Sequence, residues 1–272
     1  MGSAASIGRV DARVAWISFT PVKGLRVQEL EETELTERGI PGDRAFFLVG
    51  EDGRMVNAKR IGALLSVVAE HDAAAGRLAL RFPDGREVAA PVELGEPEPV
   101  RFFGLTLHAR PVAGPFDAAL SAHAGRPLRL VAAPPERSGV DRGDDGAVTL
   151  LSRGSLERLQ QESGTDEPVD HRRFRMSFGI DGVPAHAEDR WRGRTVRLGE
   201  ALVEVSGNVG RCVVTTRNAD TGAVDFETLH HLEAYRGRAA EPEAIEPLPF
   251  GVHARVLEPG RVRVGDPVTL AG

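Results

Sequence analysis

Apolar and polar residues alternate in short runs through the first part of the chain, and this period of two is typical of half-buried β-strands. The first run, Arg13–Phe19, is rich in β-branched and aromatic residues, and the looser alternation of residues 25–35 could pair with it. Further strands are predicted at residues 43–49, 64–70, 78–82, 87–90, 100–103 and 106–111. Strands at this spacing predict a barrel or a sandwich.

Helical spacing of apolar residues appears only after residue 114. Three helices are predicted, at residues 115–124, 152–163 and 226–235, and each is closely followed by a glycine suited to ending a helix. Strands are predicted between and after them, at residues 174–180, 195–198, 202–205, 212–216, 250–257 and 262–264. Residues 134–146, rich in proline, glycine and charge, are predicted to form a mobile loop. The predicted fold class is therefore mainly β (α+β).

The contrast between a strand-only first part and a mixed second part predicts two units that meet near residue 114. We expect a disordered N-terminus at residues 1–12, a β-barrel-like domain at residues 13–113 and a second β-barrel domain with a few helices at residues 114–272. A crevice between two such units is a usual place for a cofactor.

Composition narrows the classes of partner and of site. The net charge of −6 over 272 residues argues against a nucleic-acid partner, and there is no apolar run of about 18 residues to span a membrane. The N-terminus lacks the apolar core of a signal peptide, which favours a reducing cytoplasm. The single cysteine, Cys212, excludes a disulfide within the chain and any site that needs several thiolates, such as an iron–sulfur cluster. Lys23 and Lys59 are the only lysines among 34 basic residues.

Two short segments of the first part carry candidate binding residues. Pro21-Val22-Lys23-Gly24-Leu25 follows a predicted strand, and its glycine lets the backbone approach a ligand while Lys23 meets a phosphate or a ring carbonyl. An exposed lysine in an ordinary turn is the alternative. In Gly42-Asp43-Arg44 a charged pair opens an apolar strand, and a structural Asp–Arg contact is as plausible there as ligand binding.

The third candidate segment, Gly207–Cys212, contains Gly, Asn and Arg directly before the cysteine. Exposed backbone N–H groups and a fixed positive charge favour a thiolate over a thiol. The sulfur could then be a nucleophile, a persulfide carrier or a ligand to a soft metal, with a buried, inert cysteine as the alternative.

Further motifs follow in a fixed order: Phe174-Arg175-Met176-Ser177, Ala187-Glu188-Asp189-Arg190-Trp191, Phe250-Gly251 and Val264-Gly265-Asp266-Pro267-Val268. Together with the three segments above, this series resembles the MOSC-domain proteins that carry an N-terminal MOSC β-barrel domain. That family includes the mitochondrial amidoxime-reducing component, its bacterial counterparts and the C-terminal part of molybdenum cofactor sulfurase. The resemblance covers the chain from about residue 13 to 270.

The resemblance implies a molybdopterin-type molybdenum cofactor between the two domains, with Cys212 as the protein ligand of molybdenum and as the catalytic residue, and with no role for pyridoxal phosphate. Carried over position by position, the cofactor-binding residues are Lys23, Gly24, Arg44, Lys59, Arg175, Ser177, Gly210, Arg211 and His253. Two of these depart from the family pattern: Ser177 stands where relatives have asparagine, and His253 where mitochondrial relatives have tyrosine.

The implied activity is that of a molybdenum-dependent oxidoreductase, which reduces small N-hydroxylated compounds such as amidoximes, hydroxylamines and N-hydroxylated bases. The single cysteine leaves no cluster ligands in the chain, so a separate electron-donor protein is expected, whether a reductase, a ferredoxin or a cytochrome. The alternatives are a sulfur-transfer or cofactor-carrier protein with a persulfide on Cys212, and a structural protein with an empty pocket.

Overall fold

The computed structural model describes residues 11–134, 143–238 and 248–271. In the first half of the chain the strands are β1 (Arg13–Phe19), β2 (Gln28–Leu30), β3 (Glu32–Leu35), β4 (Phe46–Val49), β5 (Met55–Val56), β6 (Val68–Asp72), β7 (Arg77–Arg81), β8 (Glu87–Pro91), β9 (Glu93–Leu94), β10 (Glu98–Phe102), β11 (Leu105–Ala113) and β12 (Arg129–Ala132). In the second half they are β13 (Val148–Ser152), β14 (Phe178–Asp181), β15 (Thr195–Leu198), β16 (Ala201–Gly210), β17 (Pro249–Glu258), β18 (Gly260–Arg263) and β19 (Val268–Ala271).

Helices are short and fewer than strands in the described part of the chain. The α-helices are α1 (Phe116–Ala124), α2 (Arg153–Ser163) and α3 (Thr228–Arg236). Single 3₁₀ turns occur at Gly62–Ser66, Gly143–Gly146, His171–Phe174, Ala187–Trp191 and Val213–Thr216. The mainly β prediction of the fold class is confirmed.

An eight-stranded sheet forms the larger layer, with the strand order β19-β15-β16-β17-β13-β14-β1-β2. Its neighbouring strands are antiparallel except for the parallel pair β13 and β14. Because successive residues of a strand face opposite sides, adjacent residues of β1 belong to different cores. Ile17 packs with Phe178 on one face, and Trp16 packs on the other face with residues of α2 and α3, including Leu159 and Leu232.

A second sheet, with the order β10-β11-β12-β4-β5 and with β9 beside β11, forms the other layer together with the three-stranded sheet β6-β7-β8. Helix α1 packs against these sheets. The core that they share contains Leu25, Leu48, Leu64, Phe116 and Leu130.

The sheets interleave across residue 114, where the sequence predicts that the two units meet. Strands β1 and β2 belong to the large sheet of the second half, β3 pairs with β18, and β12 returns to pair with β4 and β11. These exchanges bring loops from both halves of the chain to one region. The boundary at residue 113 itself stays a prediction, and residues 1–10 of the predicted disordered N-terminus lie outside the described residues.

Several predicted elements agree with the structure. Strand β1 has the predicted bounds, and the three helices lie where helical spacing placed them. Gly125 and Gly164 end their helices with φ values of 65° and 68°, in the left-handed region that favours glycine. The predicted mobile loop at residues 134–146 falls mostly outside the described residues, with a 3₁₀ turn at its end.

Three strand predictions were wrong over part or all of their length. The 3₁₀ turn Gly62–Ser66 replaces the start of the strand predicted at 64–70, and residues 174–177 precede β14 rather than belong to it. Residues 213–216 form a 3₁₀ turn rather than a strand. Short apolar runs do not distinguish a buried strand from a buried turn, and the Thr215 hydroxyl stabilises this turn by donating to the Cys212 carbonyl over 2.9 Å.

Candidate functional site

The segment that follows β1 turns back over the second sheet and leaves Lys23 half-buried. The Lys23 backbone N–H donates to the Phe46 carbonyl at 2.8 Å. Gly24 has a φ of +93°, and a Cβ placed on it would lie 3.3 Å from the Asn57 Cα, so the backbones of these two loops pack closely. The Lys23 ammonium lies 5.6 Å from the centre of the Phe103 ring, within cation–π range.

Asp43 and Arg44 form a buried ion pair at the start of β4. The Asp43 carboxylate pairs with the Arg44 guanidinium and accepts the Thr20 N–H at 2.9 Å. Burial raises the pKa of Asp43, and the Arg44 charge opposes that shift. The Arg44 Nη2 donates to the Arg175 carbonyl at 2.8 Å. Arg44 therefore makes the structural contact with Asp43 that the sequence offered as one alternative, and it also contacts a second candidate site segment.

Arg44 also lines a cavity of about 250 Å³. The walls come from the turn before β4 and from the end of β12, and they include Arg38, Asp43 and Ala133. Two arginines and one aspartate therefore line the same small space.

Arg175 and Ser177 come from the segment between the 3₁₀ turn His171–Phe174 and β14. Arg175 ends that turn with a φ of 56°. Ser177 is 2% exposed, and its hydroxyl lies 3.2 Å from the Thr149 hydroxyl, a contact inside the protein between the segment before β14 and strand β13. The role of Ser177 as a cofactor contact stays a prediction.

Arg211 directs its guanidinium into the protein interior. The side chain is 7% exposed, its Nε donates to the Phe250 carbonyl at 2.8 Å and its Nη1 to the Phe174 carbonyl at 3.1 Å. The Arg211 Nη2 also contacts the Met176 sulfur at 2.8 Å. Arg211 therefore holds the segment that contains Arg175 against β17.

Cys212 lies just outside the end of β16, immediately before the 3₁₀ turn Val213–Thr216. Its side chain is half-buried, while the neighbouring Val213 is 46% exposed. Gly210, two residues earlier, pairs with Pro249 at the end of the same strand ladder. The half-buried sulfur thus stands at the rim of the large sheet and not in a core cluster.

The chain after Cys212 reaches the loop that contains Lys59. The Arg217 Nη2 donates to the Lys59 carbonyl at 3.5 Å. A Cβ placed on Gly222, whose φ is +74°, would overlap the Gly62 carbonyl, so these two loops meet backbone to backbone. The Lys59 N–H in turn donates to the Asn57 side chain at 3.0 Å.

A continuous series of contacts therefore links most of the predicted site residues. The loop of Gly24 packs on Asn57, which bonds to Lys59. Arg44 bonds to Arg175, and Arg211, next to Cys212, bonds to Phe174. His253 lies in the middle of β17, where its Nδ1 is 2.9 Å from the Asp145 carbonyl, and its proposed cofactor contact stays a prediction.

Sequence reasoning missed a group of charged residues that holds these segments together. Arg172 donates to both carboxylate oxygens of Asp220, at 2.9 and 2.7 Å, and Arg26 donates to the Asp220 carbonyl at 2.7 Å. Asp220-Thr221-Gly222 stands out in the sequence as a turn. Its two arginine partners, however, are distant in sequence and could not be inferred from it.

Two protein-family models match the chain, the MOSC N-terminal beta barrel domain at residues 11–121 and the MOSC domain at residues 137–269. The chain therefore belongs to the MOSC-domain proteins and carries both domains. No helix in the described ranges is long and apolar enough to cross a membrane.

Among curated proteins, the chain is 29% identical to mitochondrial amidoxime-reducing component 1 of Xenopus laevis, over 94% of this chain and 81% of the relative. It is 25% identical to the molybdenum cofactor sulfurase of Oryza sativa subsp. japonica, over 96% of this chain but 34% of that longer protein. The solved YUAD protein from Bacillus subtilis is similar over 94% of this chain and 93% of its own at 11% identity and a TM-score of 0.43, a likeness too distant to support an inference. The curated relatives indicate a molybdenum-related function of the MOSC family.

Proposed function

We propose that this chain is a molybdenum-cofactor-dependent oxidoreductase that reduces N-hydroxylated compounds, with Cys212 as the protein ligand of molybdenum. The observation that carries the proposal is the convergence on the Cys212 turn of four loops that each bear a predicted cofactor cation. The cations are Lys23, Arg44, Lys59 and Arg175, and the contacts described above tie their loops to one another and to the cysteine segment.

The residues present fit a molybdopterin-type cofactor in charge and in softness. A pterin with a phosphate needs cations and N–H donors, and lysine and arginine side chains supply both. A dithiolene-ligated metal accepts a thiolate as a further soft ligand. Among the described residues, no three His, Cys, Asp or Glu side chains form a metal-binding group, so a metal at Cys212 needs further ligands from its own cofactor.

The cofactor, when bound, supplies the two-electron redox chemistry, and the chain supplies position and charge. Lys23, Lys59 and Arg175 would neutralise the phosphate and the polar pterin edge, while the buried pair of Asp43 and Arg44 would fix the direction of one guanidinium. Arg211, engaged with backbone oxygens, would act by holding the segment of Arg175 rather than by reaching the cofactor itself.

The proposed reaction balances as an N-hydroxylated compound plus two electrons and two protons giving the corresponding amine, or amidine, plus water. The chain holds one cysteine, so an iron–sulfur cluster bound by several of its own thiolates is not available to store the electrons. We therefore propose a separate electron-donor protein. The cytoplasmic location inferred from the sequence stays a prediction, since the amidoxime-reducing relatives are named as mitochondrial.

The test is turnover of benzamidoxime or hydroxylaminopurine by the purified chain with an artificial reductant. Protein produced in a cofactor-synthesising host with molybdate should reduce the substrate, and matched protein produced with tungstate should be much less active. Molybdenum-loaded protein that leaves both substrates unchanged would contradict the proposal.

The similarity to a molybdenum cofactor sulfurase over nearly the whole chain supports one second candidate, a sulfur-transfer or cofactor-carrier protein. Intact-mass spectrometry separates the two candidates. A carrier of this kind would show one added sulfur on Cys212, removable by a thiol reductant, and no bound molybdenum.

A further inference from the structure

Among the contacts of the loop that follows Cys212, the Asp220 carboxylate reaches two other segments of the chain. Arg172 grips both oxygens of Asp220 in a two-point hydrogen bond at 2.9 and 2.7 Å. Such pairs fix orientation as well as distance, because two parallel N–H donors meet two acceptors. Arg26 approaches the same residue from the other side, 3.4 Å from a carboxylate oxygen and 2.7 Å from the backbone carbonyl.

The partners in this contact come from three different segments of the chain. Arg26 follows the Lys23-Gly24 turn. Arg172 lies in the 3₁₀ turn His171–Phe174, just before Arg175, and Asp220 lies in the loop after Cys212. One carboxylate thus joins the three segments that carry the predicted cofactor-binding residues Lys23 and Arg175 and the predicted metal ligand Cys212.

The surrounding hydrogen bonds keep Asp220 in a single orientation. The Asn218 side-chain oxygen accepts the N–H groups of Asp220 and Thr221 at 2.9 and 3.0 Å. Arg217 donates to the Gly222 carbonyl at 2.9 Å, which closes the loop against the loop of Lys59. The loop therefore has little freedom to move without breaking contacts to several loops.

We propose that Asp220 is a positioning residue for the cofactor, because its carboxylate holds the Lys23, Arg175 and Cys212 segments in one geometry. The inference rests on the proposed function and goes beyond it, since it assigns cofactor retention to a residue outside the predicted cofactor-binding set. The competing interpretation is an ordinary surface ion pair with little effect.

The chain offers a matched control in the same loop. Asp225 accepts from Arg173 at 2.6 Å and from Asn218 at 2.9 Å, and its described partners lie within the second half of the chain. The variants Asp220→Asn and Asp225→Asn each remove one negative charge that is paired with an arginine of the same 3₁₀ turn, while the Arg26 contact belongs to Asp220.

The first measurement is the rate at which holoenzyme releases its cofactor, followed by the fluorescence of the oxidised pterin and by molybdenum per chain after gel filtration. Asp220→Asn should release cofactor about tenfold faster than wild type, in the range found when supporting partners of a metal site are removed. Asp225→Asn should stay within about twofold of wild type. Equal release by the two variants would overturn the proposal.

A second measurement needs no cofactor. Hydrogen–deuterium exchange of cofactor-free protein should show faster exchange in residues 20–26 and in 170–175 for Asp220→Asn, with smaller changes for Asp225→Asn. Wild-type protein that never binds molybdenum would refute the proposed function, and the exchange pattern alone would then decide the positioning role.

If Asp220→Asn does not fold, Arg26→Met replaces it. This change removes the contacts of Arg26 with Asp220 and with the Leu65 carbonyl, and it leaves both partners of the pair between Arg172 and Asp220 in place. Release of cofactor by Arg26→Met should be about threefold faster than wild type, as expected for loss of one of the two arginines that pair with Asp220. An unchanged release rate would overturn the proposal.

Discussion

At the scale of a single residue, the structure gives the Arg211 side chain a direction that its position beside Cys212 does not predict. The sequence places Arg211 beside the predicted metal ligand, which suggests a cofactor contact. In the structure its guanidinium donates to carbonyls that lie 39 and 37 residues away along the chain. Its position next to Cys212 makes Arg211 a candidate site residue. The direction of its side chain, however, depends on acceptors that are distant in sequence and that the fold brings close.

Replacement of this arginine should cost stability even in protein without cofactor. Arg211→Lys keeps the charge but cannot reach both the Phe174 and Phe250 carbonyls with a rigid fork. We expect the free energy of unfolding to fall by about 2 kcal/mol, because a buried acceptor loses its donor. Urea unfolding of cofactor-free protein measures the change.

Arg255→Lys is the matched control for this substitution. Arg255 makes an exposed ion pair with Glu204 at 2.7 Å, so the expected change is less than about 0.5 kcal/mol. An equal effect of the two substitutions would contradict the structural role of Arg211.

Gly222 is a second residue whose role is set by packing. Gly222→Ala adds a Cβ that overlaps the Gly62 carbonyl, on top of the strain of a φ of +74°. Gly265→Ala has similar strain, with a φ of +89°, but no atom within 4 Å. We expect losses of about 1 kcal/mol for Gly265→Ala and about 3 kcal/mol for Gly222→Ala, measured by chemical unfolding. Equal losses would show that the two loops do not pack as described.

At the scale of elements, alternation predicted strands well where one face of a strand is buried and the other is not. Strand β7 is of this kind, since Leu78 and Leu80 are buried and the residues between and beside them are more exposed. The same reasoning failed at residues 213–216, where β-branched residues form a 3₁₀ turn. Thr215 and Thr216 bond back to carbonyls three residues earlier, and local hydrogen bonds of this kind compete with strand pairing.

His186 links the segment before the 3₁₀ turn Ala187–Trp191 to α2 and α3 and gives a prediction for pH. Its ring nitrogens lie 3.2 Å from the Ser155 hydroxyl and 3.3 Å from the Tyr235 hydroxyl. Burial, aided by the Arg236 charge, lowers the pKa of His186 from 6.5 to about 4. Between these values the unfolded chain binds more protons, so stability should fall as pH decreases from 6.5 towards 4.

The measurement is the free energy of unfolding as a function of pH in wild type and His186→Gln. The variant should lose less stability than wild type over the acidic part of that range, because its side chain does not titrate. His230→Gln, at an exposed position on α3, should keep the wild-type slope. A wild-type slope in His186→Gln would refute the assignment.

At the scale of the whole molecule, the candidate site depends on strands and loops that cross between the two halves of the chain. The sequence predicted Lys23, Arg44, Arg175 and Cys212 as site residues through short motifs and a family resemblance. It could not point to Asp220, which we propose as the anchor of the Lys23, Arg175 and Cys212 segments, because its partners Arg26 and Arg172 lie 194 and 48 residues away. Interleaved sheets bring residues that are distant in sequence into contact, and local sequence patterns do not predict which of these residues meet.

The most direct test of the central claim is molybdenum per chain, measured by inductively coupled plasma mass spectrometry. Wild type and Cys212→Ser would be produced in the same cofactor-synthesising host and purified in parallel. The proposal predicts stoichiometric molybdenum in wild type and loss of most of it in Cys212→Ser, because no second cysteine can replace the thiolate. Equal molybdenum in the two proteins, or none in wild type, would contradict the assignment of Cys212 as the metal ligand.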